Sequence, residues 1–249
     1  MKIHEKFMKK CLNLAILGLE KAKPNPLVGC VIVHKGKIIS DGYHEQFGCS
    51  HAEVNAIKKV KNKKLLHNST LYVNLEPCSH KGKTPACVDL IIKNKIKKII
   101  IGTLDPFKQV NGKGIKKLEN YADVTTGVME EKCKEINKIY FTNQLSNRPF
   151  IILKWAESKD GFINNTRRGI LKISNKDSVL LSHKWRSEVD AIMVGTNTII
   201  CDNPRLTTRK VKGKNPIRIT IDRKNKLQDK NWNILNDEAD TIVLHKQKN

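Results

Sequence analysis

The sequence lacks any long apolar run. A membrane-spanning helix needs about 18 or more consecutive apolar residues, and no stretch of the 249 residues approaches that length. The first residues also lack the apolar segment of a secretory signal peptide. Its seven cysteines show no paired spacing of the kind that marks a disulfide framework. These absences predict a cytoplasmic protein with reduced thiols and no membrane partner.

Arginine and acidic residues are also scarce. Only eight of the 47 basic residues are arginine, and 24 acidic residues leave a formal net charge of +23. A chain this basic raises the hypothesis of a nucleic-acid or membrane partner. Proteins that read phosphates and bases favour arginine, however, whereas here lysine is spread through every region. We therefore interpret the charge as a solvated surface and predict no nucleic-acid partner.

The first part of the chain alternates between helix-like and strand-like patterns. Apolar residues recur at helical spacing over residues 4–22, where Lys23-Pro24-Asn25-Pro26 is expected to end the helix. Strands are predicted at 27–33, 38–43, 71–75, 98–102 and near Val124, and helices beginning at His51, at Cys87 and near Gly114. This order predicts a three-layer α/β/α sandwich, a fold class in which ligands bind near strand ends.

One imidazole and two thiols fall at the ends of these predicted elements. His51 and Cys87 each open a predicted helix, and Cys78 follows a predicted strand. One histidine and two cysteines form the ligand set of a catalytic zinc, which keeps a fourth position for water. Because a helix start favours a thiolate, we expect Cys87 to bind metal at neutral pH. The sequence therefore predicts a zinc site.

Glu53 follows His51 by two residues and is predicted to carry protons. Residues two apart on a helix point about 200° away from each other. Both side chains can therefore serve one metal centre only if that centre lies off the helix end, close to its axis. The alternative for Glu53 is a capping box with Ser50, and the alternative for the two thiols is a pair of buried, inert cysteines.

The spacing of these residues resembles a known enzyme family. Zinc-dependent nucleobase deaminases carry His-x-Glu and Pro-Cys-x-x-Cys, whereas here the second cysteine comes nine residues after the first. The segment Pro-Cys-Ser-His-x-Gly-x-Thr-Pro-x-Cys, which ends at Cys87, is similar to the deaminase half of the bifunctional riboflavin-biosynthesis deaminase/reductases. The resemblance implies a cytidine-deaminase-like domain over residues 1–145 and a zinc-activated water that replaces an amino group of a phosphoribosylamino pyrimidine.

The same resemblance implies substrate contacts. They are Asn25, in Pro-Asn-Pro-x-Val-Gly, together with His44, His80, Lys83 and Asp105. Lysine suits a phosphate as a point charge. The alternative for each position is a turn residue or an exposed loop residue with no role in binding. Phe107 stands where the family usually has Asn.

The alternation of strand-like and helix-like patterns starts again at residues 146–149. Residues 148–249 resemble the family's second half, a dihydrofolate-reductase-like α/β domain that binds NADPH and reduces the ribosyl group to ribityl. Residues 149–154 resemble its opening, 190–195 its next strand, 198–207 its cofactor loop and 216–222 its third strand. Matched positions are Thr198 and Asp202 for NADPH, and Arg186, Leu206 and Arg209 for substrate.

This second half departs from the family in two ways. Lys172 replaces a tryptophan, and the sequence stops after an apolar segment at 241–244, before the family's later strands. We expect a partial sheet with an uncovered apolar face and open edges, in a chain that is either truncated or carries a remnant reductase. An open sheet edge also favours a homo-oligomer.

Two other functions stay open at this point. One is a zinc-dependent nucleoside or tRNA base deaminase, which the positive charge would suit. The other is a basic RNA-binding module with a structural zinc. Structural zinc sites close with four protein ligands, and His44, Cys49 and His80 are the nearby candidates for a fourth.

Overall fold

The structure is a computed structural model that describes residues 2–80, 85–163, 172–228 and 231–246. Its contacts divide the chain into two compact units, Met1–Ile151 and Ile152–Asn249. The division lies just after the restart of the sequence pattern at residues 146–149. None of the helices in the described ranges has both the length and the apolar character that crossing a bilayer requires.

The first unit is organised around a five-stranded sheet. Its elements are α1 (Lys2–Ile16), β1 (Gly29–His34), β2 (Lys37–Tyr43), α2 (Ala52–Lys59), β3 (Ser69–Leu75), α3 (Cys87–Lys93), β4 (Lys98–Thr103), α4 (Lys113–Glu119), β5 (Asp123–Thr125), α5 (Glu130–Ile136) and α6 (Lys138–Ser146). The strand order is β2-β1-β3-β4-β5. β1 runs antiparallel to β2 and β3, whereas β3, β4 and β5 are parallel.

Helices cover both faces of this sheet. On one face α2, α3 and α4 bury Ala56, Ile91 and Leu118 in a core shared with the strands. On the other face α1 and α5 contribute Met8 and Cys133 to a second core. The central strands are apolar toward both faces, as expected where helices cover a sheet on both sides. The predicted α/β/α sandwich is confirmed.

The first helix is shorter than the sequence predicts. α1 ends at Ile16, and tighter turns replace the helix, beginning with the hydrogen bond from Leu17 N–H to the Leu14 carbonyl. Gly18 then passes so close to the next segment that a Cβ there would lie 2.5 Å from the His44 carbonyl oxygen. The prediction of one helix over residues 4–22 is wrong because this close approach needs a turn and a glycine.

The second unit is built on a smaller parallel sheet. Its elements are α7 (Lys176–Glu188), β6 (Ala191–Gly195), α8 (Thr196–Asp202), β7 (Ile217–Ile221) and β8 (Thr241–Leu244), with strand order β6-β7-β8. One face packs on a core of Ile199, Leu206, Leu227 and Ile234. On the other face Met193, Ile217, Ile221, Ile242 and Leu244 are exposed within the described residues. The expected uncovered apolar face is therefore present.

The segment that resembles the family's opening and the segment that resembles its cofactor loop have irregular and partly helical structure, respectively. Residues 149–154, expected to open the domain, form no strand, and Ile151, Ile152 and Leu153 are exposed. A strand needs a hydrogen-bonding neighbour, and the described residues supply none there. Residues 198–202, interpreted as part of a cofactor loop, lie in α8, which is anchored by the fully buried Ile199.

Two buried asparagines hold the segment that follows Asn25. The Leu27 N–H donates to Oδ1 of Asn137 at 2.7 Å, and the side-chain amides of Asn74 and Asn137 both donate to the Leu27 carbonyl. The Gly29 N–H donates to Oδ1 of Asn74 at 2.7 Å. These bonds connect the start of β1 to β3 and to the residue between α5 and α6.

Asn74→Ala should destabilise the first unit by about 2 kcal/mol or more, because it leaves the Gly29 N–H buried without a partner. Urea unfolding followed by tyrosine absorbance measures this unit, since all four tyrosines lie within it. The matched control is Asn94→Ala, which removes a partly exposed bond to the Leu90 carbonyl. Equal unfolding midpoints for the two variants would contradict the role given to Asn74.

Candidate metal centre and active site

Three predicted metal ligands meet at one end of the five-stranded sheet. His51 directly precedes α2, Cys78 lies three residues after β3, and Cys87 is the first residue of α3. Their ligand atoms all lie within 4.8 Å of one another. Nδ1 of His51 is 3.3 Å from Sγ of Cys87 and 3.6 Å from Sγ of Cys78.

These distances fit a tetrahedral zinc ion. Zn–S bonds of about 2.3 Å and Zn–N bonds of about 2.0 Å at tetrahedral angles separate nitrogen and sulfur ligands by about 3.5 Å. Both observed separations lie close to that value. A nitrogen and two sulfurs are also the donor set that zinc prefers. The residues present therefore fit zinc.

The start of α3 stabilises a thiolate at Cys78. Hydrogen bonds from the Cys87 thiol, from His51 and from the Cys87 backbone N–H, 3.4 Å from Sγ of Cys78, lower the pKa of Cys78 to about 4. The pKa of Cys87 is raised by its bond to Cys78 and by burial. The backbone N–H at the start of α3 therefore donates to the Cys78 sulfur and not to the Cys87 sulfur.

Glu53 is buried beside these ligands. It lies in the first turn of α2 and is only 3% exposed. Burial raises the pKa of its carboxyl to about 7, while the charge of His51 and a hydrogen bond with the Cys87 thiol act in the opposite direction. His51 directly precedes α2, and the Glu53 carboxyl interacts with both His51 and Cys87 at this end of the helix. No side-chain hydrogen bond caps α2 at His51, its N-cap residue, so the capping-box alternative is not supported.

Asn25 and His44 form a pair next to the ligands. The Asn25 amide donates to Nε2 of His44 at 2.9 Å, and Nδ1 of His44 bonds to the Ser50 carbonyl at 3.2 Å. The His44 and His51 rings meet edge to face, with centroids 5.6 Å apart. Burial lowers the pKa of His44, which favours the neutral ring. These two predicted substrate residues are therefore brought together at the metal end of the sheet.

Asp105 lies on the loop after β4. Its Oδ1 accepts hydrogen bonds from the Phe107 N–H and the Tyr140 hydroxyl, both at 2.9 Å. Burial raises the pKa of Asp105, and these two bonds oppose that shift. Sequence reasoning missed Tyr140, which comes 35 residues later on α6. No local sequence signal connects the two residues.

The remaining predicted residues of the first unit lie on the cysteine insert. His80 is half-buried, its ring lies 5.9 Å from that of Phe107, and its Nδ1 has no hydrogen-bond partner among the described residues. Lys83 lies outside the described residues. The insert thus places His80 beside the loop that carries Asp105.

Five predicted residues belong to the second unit. Thr198 and Asp202 are exposed and lie four residues apart on α8. Nη1 of Arg186 donates to the Thr207 carbonyl at 3.1 Å, and Nη1 of Arg209 donates to the Thr207 hydroxyl at 3.0 Å. The buried Leu206 directly precedes Thr207. The predicted substrate residues therefore converge, and the two predicted NADPH residues share a helix face.

A fourth protein ligand is not found in the described part of the chain. The cluster of potential metal ligands contains His51, Cys78 and Cys87 only. Both ring nitrogens of His44 have hydrogen-bond partners, and Cys49 is exposed. Three protein ligands match the ligand count of a catalytic zinc site, which keeps a fourth position for water.

Comparisons with known proteins agree with this geometry. Residues 1–103 match the cytidine and deoxycytidylate deaminase zinc-binding region, and residues 149–249 match the RibD C-terminal domain. The chain is 41% identical to riboflavin biosynthesis protein RibD of Aquifex aeolicus, over 99% of this chain and 69% of that protein. It is 40% identical to RibD of Actinobacillus pleuropneumoniae, over 87% of this chain and 57% of that protein.

Solved structures show the same relationship. A diaminohydroxyphosphoribosylaminopyrimidine deaminase/5-amino-6-(5-phosphoribosylamino)uracil reductase from Thermotoga maritima superposes with a TM-score of 0.89 at 40% identity, covering 99% of this chain and 71% of that one. Acinetobacter baumannii RibD gives a TM-score of 0.87 at 30% identity, covering 99% and 70%.

The fold and the ligand set define a zinc-dependent deaminase domain, followed by a domain of the dihydrofolate-reductase type. The chain belongs to the RibD family of riboflavin biosynthesis proteins. It spans between 57% and 71% of the length of these four relatives.

The ligand geometry predicts a single zinc ion per chain. Cys78→Ala and Cys87→Ala should each lower the zinc content by tenfold or more, because two protein ligands hold zinc far less tightly than three. Elemental analysis of purified, dialysed protein measures this. Cys49→Ala, which removes an exposed thiol outside the cluster, is the control. Full zinc content in either cluster variant would contradict the assignment.

Proposed function

We propose that this chain deaminates 2,5-diamino-6-(5-phosphoribosylamino)pyrimidin-4(3H)-one to 5-amino-6-(5-phosphoribosylamino)uracil in riboflavin biosynthesis. The observation that carries the proposal is the open His51, Cys78 and Cys87 cluster with Glu53 buried at its edge. The Thermotoga maritima relative is named for the same deamination. A hydrolytic deamination consumes one water and releases one ammonia.

Glu53 carries the protons of this reaction. Zinc, when bound, acts as a Lewis acid that makes water nucleophilic at neutral pH. The Glu53 carboxylate accepts a proton from the attacking water and passes protons to the ring nitrogen and to the departing amine. Its buried position beside Cys87 keeps bulk water away from this transfer.

We assign the contacts with the ring and the ribose phosphate to Asn25, His44, His80, Lys83 and Asp105. The side-chain amide of Asn25, fixed by His44, faces the metal end of the sheet. Asp105 and His80 lie on two neighbouring segments, and Lys83 remains a sequence-based assignment for the phosphate. A buried carboxylate and an oriented amide suit a planar ring that carries several N–H donors.

Glu53→Gln should reduce ammonia release from the diaminopyrimidine nucleotide by about a thousandfold, because an amide cannot relay the protons. Zinc content should stay at the wild-type level, since Glu53 is not a ligand. A coupled glutamate dehydrogenase assay measures the ammonia. Near wild-type release by this variant would remove Glu53 from the mechanism.

Glu20→Gln, which neutralises an exposed carboxylate, is the control and should retain full activity. RNA serves as the competing substrate in the same assay. Ammonia released from tRNA but not from the free nucleotide would contradict the proposed substrate and favour a nucleic-acid deaminase.

For the second unit we propose NADPH binding on α8 and reduction of the ribosyl group of the deaminated product. Thr198 and Asp202 present polar side chains from one helix face, and Arg186 and Arg209 supply positive charge beside Thr207. The match of residues 149–249 to the RibD C-terminal domain supports this reading. Arginine suits the phosphate of the product.

Thr198→Ala and Asp202→Ala should each weaken NADPH binding by about fivefold to tenfold, the loss expected for one hydrogen bond. Fluorescence titration with NADPH measures this affinity. Asn197→Ala, on a different face of the same helix, should bind like the wild type. Wild-type affinity in both test variants, or no NADPH binding by the intact chain, would contradict the proposal.

We also propose that the protein acts in the cytoplasm on small molecules and associates with further copies of itself. Its free, unpaired cysteines suit a reducing compartment. The exposed apolar face and open edges of the second sheet favour association between chains.

A further inference from the structure

Glu76 is a buried carboxylate to which the proposed chemistry gives no role. It lies between β3 and Cys78 and is 4% exposed. Its backbone N–H donates to the Thr103 carbonyl at 2.9 Å and extends the pairing of β3 with β4. Burying a carboxylate is costly unless hydrogen bonds compensate. The hydrogen-bond partners of the Glu76 carboxylate therefore show which segments of the chain it holds in place.

Four backbone N–H groups donate to the Glu76 carboxylate. Oε2 accepts from Asp105 at 3.2 Å and from Gly112 at 2.9 Å. Oε1 accepts from Gly114 at 2.9 Å and from Ile115 at 3.2 Å. Three of these donors lie at the start of α4, where N–H groups have no partner within the helix.

The backbone around this carboxylate is tightly fitted. A Cβ on Gly114 would lie 2.2 Å from the Pro77 carbonyl and 3.1 Å from Oε1 of Glu76. Gly112 has a φ of +82°, a conformation that favours glycine. One side chain thus fixes α4, the peptide leading into Cys78 and the Asp105 loop against one another.

We propose that Glu76 is a positioning residue that sets Asp105 relative to the metal-ligand segment. The inference rests on the proposed function, because it takes Asp105 as a substrate contact. Glu76 holds the Asp105 backbone, and the Asp105 carboxylate in turn accepts bonds from Phe107 and Tyr140. Glu76 acts on the substrate only through this loop, so its loss affects substrate binding more than zinc binding.

A double-mutant cycle tests the link. Glu76→Gln should raise KM for the diaminopyrimidine nucleotide about tenfold, the loss expected for hydrogen bonds to a charged group. kcat should change less, and zinc content should not change. If Glu76 acts through Asp105, the double variant with Asp105→Asn should have the same KM as Asp105→Asn alone. The proposal would be overturned if the KM increases of the two single variants multiplied in the double variant, or if Glu76→Gln lost zinc.

Amide hydrogen exchange gives a second readout that needs no substrate. Glu76→Gln should speed exchange at the Phe107 N–H, which bonds to Asp105 and not to Glu76, by tenfold or more. Asp89→Asn is the matched control, because Asp89 also contacts α4 through an exposed ion pair with Lys117 at 2.6 Å. Unchanged exchange at Phe107, or equal acceleration in the control, would contradict a transmitted effect.

The two readouts separate the possible failures. If the wild-type chain releases no ammonia, the proposed function fails, and the exchange experiment alone decides whether Glu76 holds the Asp105 loop. If Glu76→Gln does not fold, amide hydrogen exchange in the wild-type chain, measured at Asp105, Gly112 and Gly114, tests the proposal instead. Slow exchange at all three supports the proposal, and rapid exchange overturns it.

Discussion

The site depends on the parallel pairing of β3 with β4. Register places Leu75 opposite Thr103, so both strands end at the same edge of the sheet. Parallel neighbours need a crossover connection, which here contains α3. The chain therefore leaves β3 through Cys78, returns to the same edge at Cys87 and leaves β4 toward Asp105. One ladder of backbone hydrogen bonds brings together two metal ligands and a proposed substrate contact.

Two buried glutamates at this edge have opposite environments. The Glu76 carboxylate accepts hydrogen bonds from four backbone N–H groups. The buried Glu53 carboxyl has fewer hydrogen bonds to offset its burial, and burial raises its pKa to about 7. Environment alone can assign different roles to identical side chains. Here it separates a carboxylate that holds backbone N–H groups from the carboxyl proposed to exchange protons.

Sequence patterns predicted much of this arrangement, because many of its signals are local. The ligand set and Glu53 follow from residue types and spacing, and strand positions follow from apolar runs bounded by turns. The end of α1 was not predictable, because it depends on the approach of Gly18 to His44. The partners of Glu76 lie 29 to 39 residues away, and only the folded sheet brings them together. The direction of the Cys87 N–H also required coordinates.

The central claim is that one imidazole and two sulfurs form an open zinc centre. X-ray absorption at the zinc edge of the purified chain tests it most directly, because it counts sulfur and imidazole neighbours separately. The account predicts two sulfurs, one imidazole and one further light atom that exchanges with solvent. A third sulfur or a second imidazole would mean a closed structural site and would contradict the account.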